Sequence, residues 1–301
     1  MPKKKGSIEE RYNLKSYFAG YGVGDASPES DLRQIDEQTM RYSQTMLRQG
    51  MLRSLGIRGH EESENVVLTG CVSPFYVPFT LRNYFRLLDA LGIDYKVLDE
   101  EHCCGANSIY RVDPDEMAGF LGKLREPMRR NVDAAKAQGA KKLYYWCYSC
   151  ISQAQLLFNE DDFPIRYGLD ILIEPMKKAK LKAKPAVVGY YSGCWRRLRE
   201  INPKLELSFD SYRSWVDQVE GIEVVDIPSA ICCTQNPEAI FRKARAANVD
   251  YMVTPCMGCS GRLNVECIES SGRLDVERNS IGTKPIGTKP LYEFLLESLV
   301  T

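Results

Sequence analysis

From residue 63 onward the chain alternates short apolar runs with longer stretches of helical period, and the apolar runs end close to cysteines. Val66-Val67-Leu68-Thr69 predicts a buried strand, with Gly70-Cys71 as the loop after it. Leu81, Tyr84, Phe85, Leu87, Leu88 and Leu91 then recur at helical spacing from Pro78 onward. Tyr95-Lys96-Val97-Leu98 predicts the next strand, which delivers the chain into Glu101-His102-Cys103-Cys104-Gly105. A helix follows from Pro114-Asp115-Glu116 to about Gln138, and Leu143-Tyr144-Tyr145-Trp146 is a third strand, ending on Cys147-Tyr148-Ser149-Cys150.

Residues 185 to 259 repeat this order. Ala186 to Tyr191 leads to Ser192-Gly193-Cys194, Val224-Val225-Asp226-Ile227 to Cys232-Cys233, and Tyr251-Met252-Val253-Thr254 to Pro255-Cys256-Met257-Gly258-Cys259. Pro164-Ile165 with Leu169 to Glu174 matches Pro290-Leu291 with Phe294 to Glu297, a short run feeding a helix. The chain therefore reads as a duplication, with a Lys- and Ala-rich joint at Lys177 to Lys184. The expected division is 1–62, 63–180 and 181–301. In the first part Ser27-Pro28-Glu29 caps a helix carrying Leu32, Ile35, Thr39, Tyr42, Met46 and Leu47 up to Gly50, a helical N-terminal extension whose stripe packs on its own body or on a partner. Gly282-Thr283-Lys284-Pro285 and Gly287-Thr288-Lys289-Pro290 read as a low-complexity loop.

Strands alternating with helices imply mainly parallel sheets, and in such α/β sheets the loops beyond the strands' carboxyl ends form the binding crevice. That edge is where the cysteines fall. Ten of the eleven form two sets, Cys71, Cys103, Cys104, Cys147, Cys150 and Cys194, Cys232, Cys233, Cys256, Cys259; Cys267 reads as a small buried hydrophobe. Soft thiolates select iron–sulfur clusters, zinc or Cu(I). Structural zinc needs four ligands, and five with a vicinal pair overshoot that need, whereas adjacent cysteines can serve two irons of one cluster. Iron–sulfur binding, zinc in at least one set and metal-free redox dithiols are the readings these residues leave open.

Composition narrows the setting. Forty Lys and Arg against forty Asp and Glu leave no net charge, which argues against a nucleic-acid or anionic-membrane partner held by bulk electrostatics. No run of about 18 apolar residues is present, so no membrane span is expected. Met1-Pro2-Lys3-Lys4-Lys5 is followed by Gly6-Ser7-Ile8-Glu9 rather than an apolar stretch, so no export signal is read and the cytoplasm is the expected location. Arg196, Arg197 and Arg199 after Cys194 are either a solvated helix face or an anion-binding rim for a charged substrate or cofactor. His102 beside the first pair is a candidate proton donor, although Ile231 stands at the matching place in the second half.

A lone Cys, a Cys-Cys and a Cys-x-x-Cys, present twice over residues 63 to 301, resembles the cysteine-rich "CCG" domain protein that forms the B-type subunit of heterodisulfide reductases. The resemblance implies two tandem, pseudo-symmetric, Rossmann-like CCG domains. It implies a noncubane [4Fe-4S] cluster on each cysteine set, with Cys103, Cys104, Cys232 and Cys233 central to catalysis. The implied reaction is reductive cleavage of a disulfide, such as the mixed disulfide of coenzymes M and B, bound between the clusters. The implied partners are a C-type, ferredoxin-like iron–sulfur subunit together with an A-type flavin subunit. The alternative is an electron-relay subunit of a similar complex with no disulfide of its own. Two departures mark the second set: Thr234 stands where Gly105 follows the first pair, and 22 residues separate Cys233 from Cys256 where 42 separate Cys104 from Cys147. That shortening implies that a helix or more is missing, and it either opens the second cluster to substrate or leaves a noncubane cluster, a cubane cluster or zinc open there. No Cys-x-x-Cys-x-x-Cys-x-x-x-Cys run and no Gly-x-Gly-x-x-Gly after a strand is present, so electrons must come from other subunits.

Overall fold

The computed structural model describes residues 46–60, 63–70, 73–104, 117–158, 163–193, 205–228, 231, 233, 236–264 and 286–300. These fall into two compact units, one of residues 46–177 with 205–207 and the other of residues 178–193 with 208–300.

The first unit is built on four parallel strands, β1 (Asn65–Leu68), β2 (Lys96–Val97), β3 (Lys142–Tyr145) and β4 (Ile165–Tyr167), in the order β2-β1-β3-β4. β1 lies inside the sheet, and Val66, Val67 and Leu68 are all buried, as a strand covered on both faces requires. Three helices connect the strands: α3 (Pro78–Ala90), α4 (Met117–Ala137) and α5 (Tyr148–Leu157), preceded by α1 (Met46–Ser54) and the short α2 (Ser73–Tyr76). Pro78 opens α3, where a missing N–H costs nothing, and the stripe Leu81, Tyr84, Phe85, Leu88 is at most 1% exposed. Each such side chain contributes about 1.5–3 kcal/mol by leaving water. After β4, a 3₁₀ turn (Gly168–Leu172) runs into α6 (Ile173–Met176), so the expected helix at 169–174 starts on the tighter pitch.

The second unit repeats the plan with β5 (Lys182–Tyr191), β6 (Glu220–Ile227), β7 (Tyr251–Thr254) and β8 (Thr288–Pro290) in the order β6-β5-β7-β8, all parallel. Its helices include α7 (Phe209–Asp217), α8 (Pro237–Ala246) and α9 (Leu291–Ser298). Asn236 caps α8, its side chain accepting from the Ala239 N–H at 3.1 Å, with Pro237 at the first helical position. α8 has 10 residues where α4 has 21, so the shorter spacing in the second half keeps a crossover helix and shortens it.

The expected loss of a helix there is thus corrected, and so are three further expectations. The first helix does not stop at Gly50: α1 continues to Ser54, because Arg48 and Leu52 bury one face while the space around Gly50 is open. Residues 27–45 of that expected helix lie outside the described residues. The joint does not extend to Lys184, since Lys182 already pairs with Glu220 at the start of β5. Thr288-Lys289-Pro290 is not loop but β8, an edge strand, where proline is tolerated at the end of the ladder.

Candidate metal centre

In each unit the chain leaves the central strand to one side and later returns on its other side, the switch point at which α/β sheets bind ligands. β1 runs into Thr69-Gly70 ahead of Cys71, β2 leads to Cys103-Cys104, and β3 ends two residues before Cys147. Gly70 has φ +79° and Gly193, after β5, has φ +86°; each stands immediately before the lone cysteine of its set. A left-handed turn at both places suits glycine. A Cβ on Gly70 would come within 3.9 Å of the Cys150 Sγ and 4.0 Å of the Cys147 Cβ, so the β1 loop lies directly over the Cys-x-x-Cys loop. These are ordinary contact distances. Gly70→Ala is therefore expected to cost about 1–2 kcal/mol through its backbone alone, measurable by denaturant titration.

The described thiols of the first set converge. Cys104 and Cys150 are buried, with their sulfurs 3.0 Å apart, while Cys103 and Cys147 are partly exposed at the rim. Cys103 hydrogen-bonds with Cys104, and Cys147 with Cys150. Cys147 immediately precedes α5, where the side chain of Cys150, against the opposing effect of burial, and the first-turn amides of Cys150 and Ser149 bring its pKa down to about 7. Cys104 is held well above the usual thiol range by Cys103 and by burial, and Cys150 by Cys104 and Cys147. Cys147 thus gives up its proton first. In the metal-free chain its alkylation by iodoacetamide should rise through about pH 7, with Cys104 and Cys150 remaining slow, as peptide mass spectrometry would show. The depressed thiol also adds stability above the unfolded cysteine value of about 8.5, and that increment is lost as pH falls through 7.

The second set repeats the arrangement in what is described of it. Cys233, Cys256 and Cys259 are buried, and the Cys233 sulfur lies 3.4 Å from that of Cys259. Residues 257–264 are helical, so Cys256 precedes a helix as Cys147 does. The Tyr191 hydroxyl donates to the Ile231 carbonyl at 2.6 Å and holds the loop entering the second pair. Cys71, Cys194, Cys232, Cys267, Arg196, Arg197 and Arg199 lie outside the described residues.

Among the described residues, no three His, Cys, Asp or Glu side chains are spread as a ready cage for one metal ion; the sulfurs touch instead. The donor set nevertheless fits a thiolate-ligated group: soft ligands only, from converging loops, beside the first-turn amides of a helix. Loading would require the buried thiols to turn apart.

Residues surrounding these sulfurs escaped the sequence reading. Tyr145 places a buried phenol whose neighbours are Cys150, Cys104, Asn131 and Glu101, and burial first and then the two cysteines keep it protonated. Asn131 on α4 accepts from the His102 N–H at 2.7 Å and donates to the His102 carbonyl at 2.8 Å. Its position among polar helix residues carried no signal. The His102 ring is partly buried, and burial, then Arg130, lower its pKa against the pull of Glu100.

Residues 66–155 match the family model described as CCG, cysteine-rich domain. The match spans less than half of the chain. The chain is 26% identical over 182 residues to the D subunit of the dihydromethanophenazine:CoB–CoM heterodisulfide reductase of Methanosarcina mazei, covering 57% of this chain and 42% of that one. It is 22% identical over 272 residues to an uncharacterized iron-sulfur protein of Methanocaldococcus jannaschii, covering 83% of this chain and 51% of that one. The chain thus spans about half or less of the length of these curated relatives. A crystal structure of a hypothetical protein from Helicobacter pylori superposes with a TM-score of 0.52 at 11% identity, over 95% of this chain and 56% of that one, and supports the fold alone. By these comparisons the chain is similar, over part of its length, to heterodisulfide reductase D subunits and to an iron–sulfur protein. Among the described residues no helix is long and apolar enough to cross a membrane.

Proposed function

We propose that the chain is the iron–sulfur subunit of a heterodisulfide reductase-type complex and reduces a small disulfide to two thiols, consuming two electrons and two protons. Cys103, Cys104, Cys147 and Cys150, with Cys71, would hold one noncubane [4Fe-4S] cluster. Cys233, Cys256 and Cys259, with Cys194 and Cys232, would hold a second iron–sulfur cluster. When bound, such clusters supply electrons one at a time and an iron that can accept a substrate sulfur. The ferredoxin-like and flavin subunits would deliver those electrons in the cytoplasm, and Arg196 and Arg197 would form an anionic-substrate rim.

The observation that carries this reading is the grading of exposure at the first centre. Cys104 and Cys150 are buried while Cys103, Cys147 and His102 reach solvent, which gives a substrate sulfur a route to one side of it. The three described thiols of the second set are all buried. On this reading the substrate meets the first centre. His102 would exchange the proton of a departing thiolate, and because its ring is charged only on the acid side of the ordinary histidine range, the rate through it rises as pH falls. His102→Gln should flatten that acid limb.

Iron and acid-labile sulfide per chain, with EPR of the oxidised, thiol-treated protein, test the assignment. About eight irons and eight sulfides support two clusters. About four irons with zinc would place zinc in the second set, and none would sink the cluster reading. Thiol release from a disulfide under a low-potential electron donor separates a reductase from a relay, which would take up electrons and release no thiol.

A further inference from the structure

Glu101 is 2% exposed, and both of its carboxylate oxygens are engaged. Oε1 accepts from the Thr69 N–H at 2.9 Å and Oε2 from the Gly70 N–H at 2.8 Å. The Thr69 hydroxyl lies 3.1 Å from Oε1. Arg48, 0% exposed, closes an ion pair on Oε1. The same guanidinium donates to the Leu98 carbonyl at 2.8 Å and to the Thr69 hydroxyl at 3.0 Å. That hydroxyl accepts from Arg48, so its own proton points to Glu101.

The position of this network gives it meaning. Thr69 and Gly70 are the last two residues before Cys71, and Glu101 stands two before Cys103. One buried carboxylate therefore ties two of the three cysteine loops together. Asn131 fixes the next residue, His102, through both of its backbone groups. The paired cysteines thus follow a residue anchored by its side chain, Glu101, and one anchored by its backbone, His102. In the second half Ala230 stands two before Cys232, and the described tie is the neutral Tyr191 hydroxyl on Ile231.

We propose that Arg48 and Glu101 are positioning residues of the first cysteine centre, locking the loop that leads to Cys71 against the loop that carries Cys103 and Cys104. Helix α1, which lies outside the CCG match at residues 66–155, is thereby part of that centre. A carboxylate suits the task because it presents two acceptors to two adjacent amides. Glutamine can serve only one, since its NH₂ would face the other N–H. Arginine suits it because its planar fork spans the carboxylate, the hydroxyl and a carbonyl at once.

The test uses the full-length, metal-free chain. Iodoacetamide labelling of Cys104 and Cys150 is followed by peptide mass spectrometry, with Cys233 and Cys259 as internal controls. Labelling of buried thiols proceeds through local opening. Loss of a charge-assisted hydrogen bond should make that opening about 10- to 100-fold more frequent at Cys104 and Cys150 in Glu101→Gln. The controls should not change. Thr69→Val, which removes only the hydroxyl, gives a milder acceleration in the same direction and keeps the test decisive if Glu101→Gln does not fold. Arg48→Lys, which keeps the charge without the fork, should fall between wild type and Arg48→Met. Unchanged labelling at Cys104 and Cys150, or equal acceleration at the controls, overturns the proposal. The consequence for a loaded protein rests on the iron–sulfur reading: Glu101→Gln should shift the reduction potential and EPR line of one centre and not the other. A wild-type chain that takes up no iron would sink that reading while leaving the labelling contrast intact.

Discussion

Substituting Cys104 by serine is expected to strip the first centre of its iron, to halve the iron and sulfide bound per chain, and to abolish disulfide reduction. The Cys104 sulfur is buried 3.0 Å from that of Cys150, so it stands in the middle of the described thiols rather than at their edge. A serine oxygen is a harder ligand and stays protonated near neutral pH, so it cannot stand in for a soft thiolate. The fold should survive, because oxygen for sulfur changes little volume at a site that already carries polar contacts. Far-ultraviolet circular dichroism should match wild type while the EPR signal of one centre disappears. Cys259→Ser should remove the other signal and spare the first. Full turnover retained in Cys104→Ser would move the chemistry away from this loop.

Arg48→Met should cost the first unit about 3–5 kcal/mol, because it leaves the Glu101 carboxylate buried without its counter-charge. Against a typical stability of about 5–15 kcal/mol, that is a large fraction. Its Tm should fall by roughly 10 °C. The double variant Arg48→Met with Glu101→Leu should recover much of the loss, since replacing both partners by apolar groups removes the charge that made the single change costly. Recovery of stability without recovery of slow Cys104 labelling would separate holding the fold from holding the thiols. Differential scanning calorimetry of the two variants makes the comparison.

The strands, their parallel arrangement and their order of appearance were legible because buried strands must be continuous apolar runs, and Val66 to Leu68 or Tyr251 to Thr254 leave no other reading. Lys182 to Lys184 were not legible as strand. Their side chains carry no apolar signal, and what makes them strand is pairing with residues near Glu220, a partner far along the chain. Thr288 to Pro290 escaped for the same reason, masked by a repeated Gly-Thr-Lys-Pro that looks like loop locally. At the candidate centre the cysteines announced themselves by type and spacing. Arg48, Thr69 and Asn131 did not, since each is an ordinary residue for a helix or strand end until its partner is known. Glu101 stood in the most conspicuous stretch of the chain without disclosing a role.

By itself the sequence determined the duplication, the parallel α/β plan and the candidate thiols, because periodicity and residue type are local properties that survive without coordinates. Only the tertiary structure decided which residues hold those ligands in place. It brought Arg48 and Glu101, 53 positions apart, into one buried ion pair, and set Asn131 against His102 across 29. Such long-range polar pairs arise where burial leaves a charged or amide group no solvent to bind, and which groups share that fate is set by the packing of strands and helices rather than by any short stretch of chain.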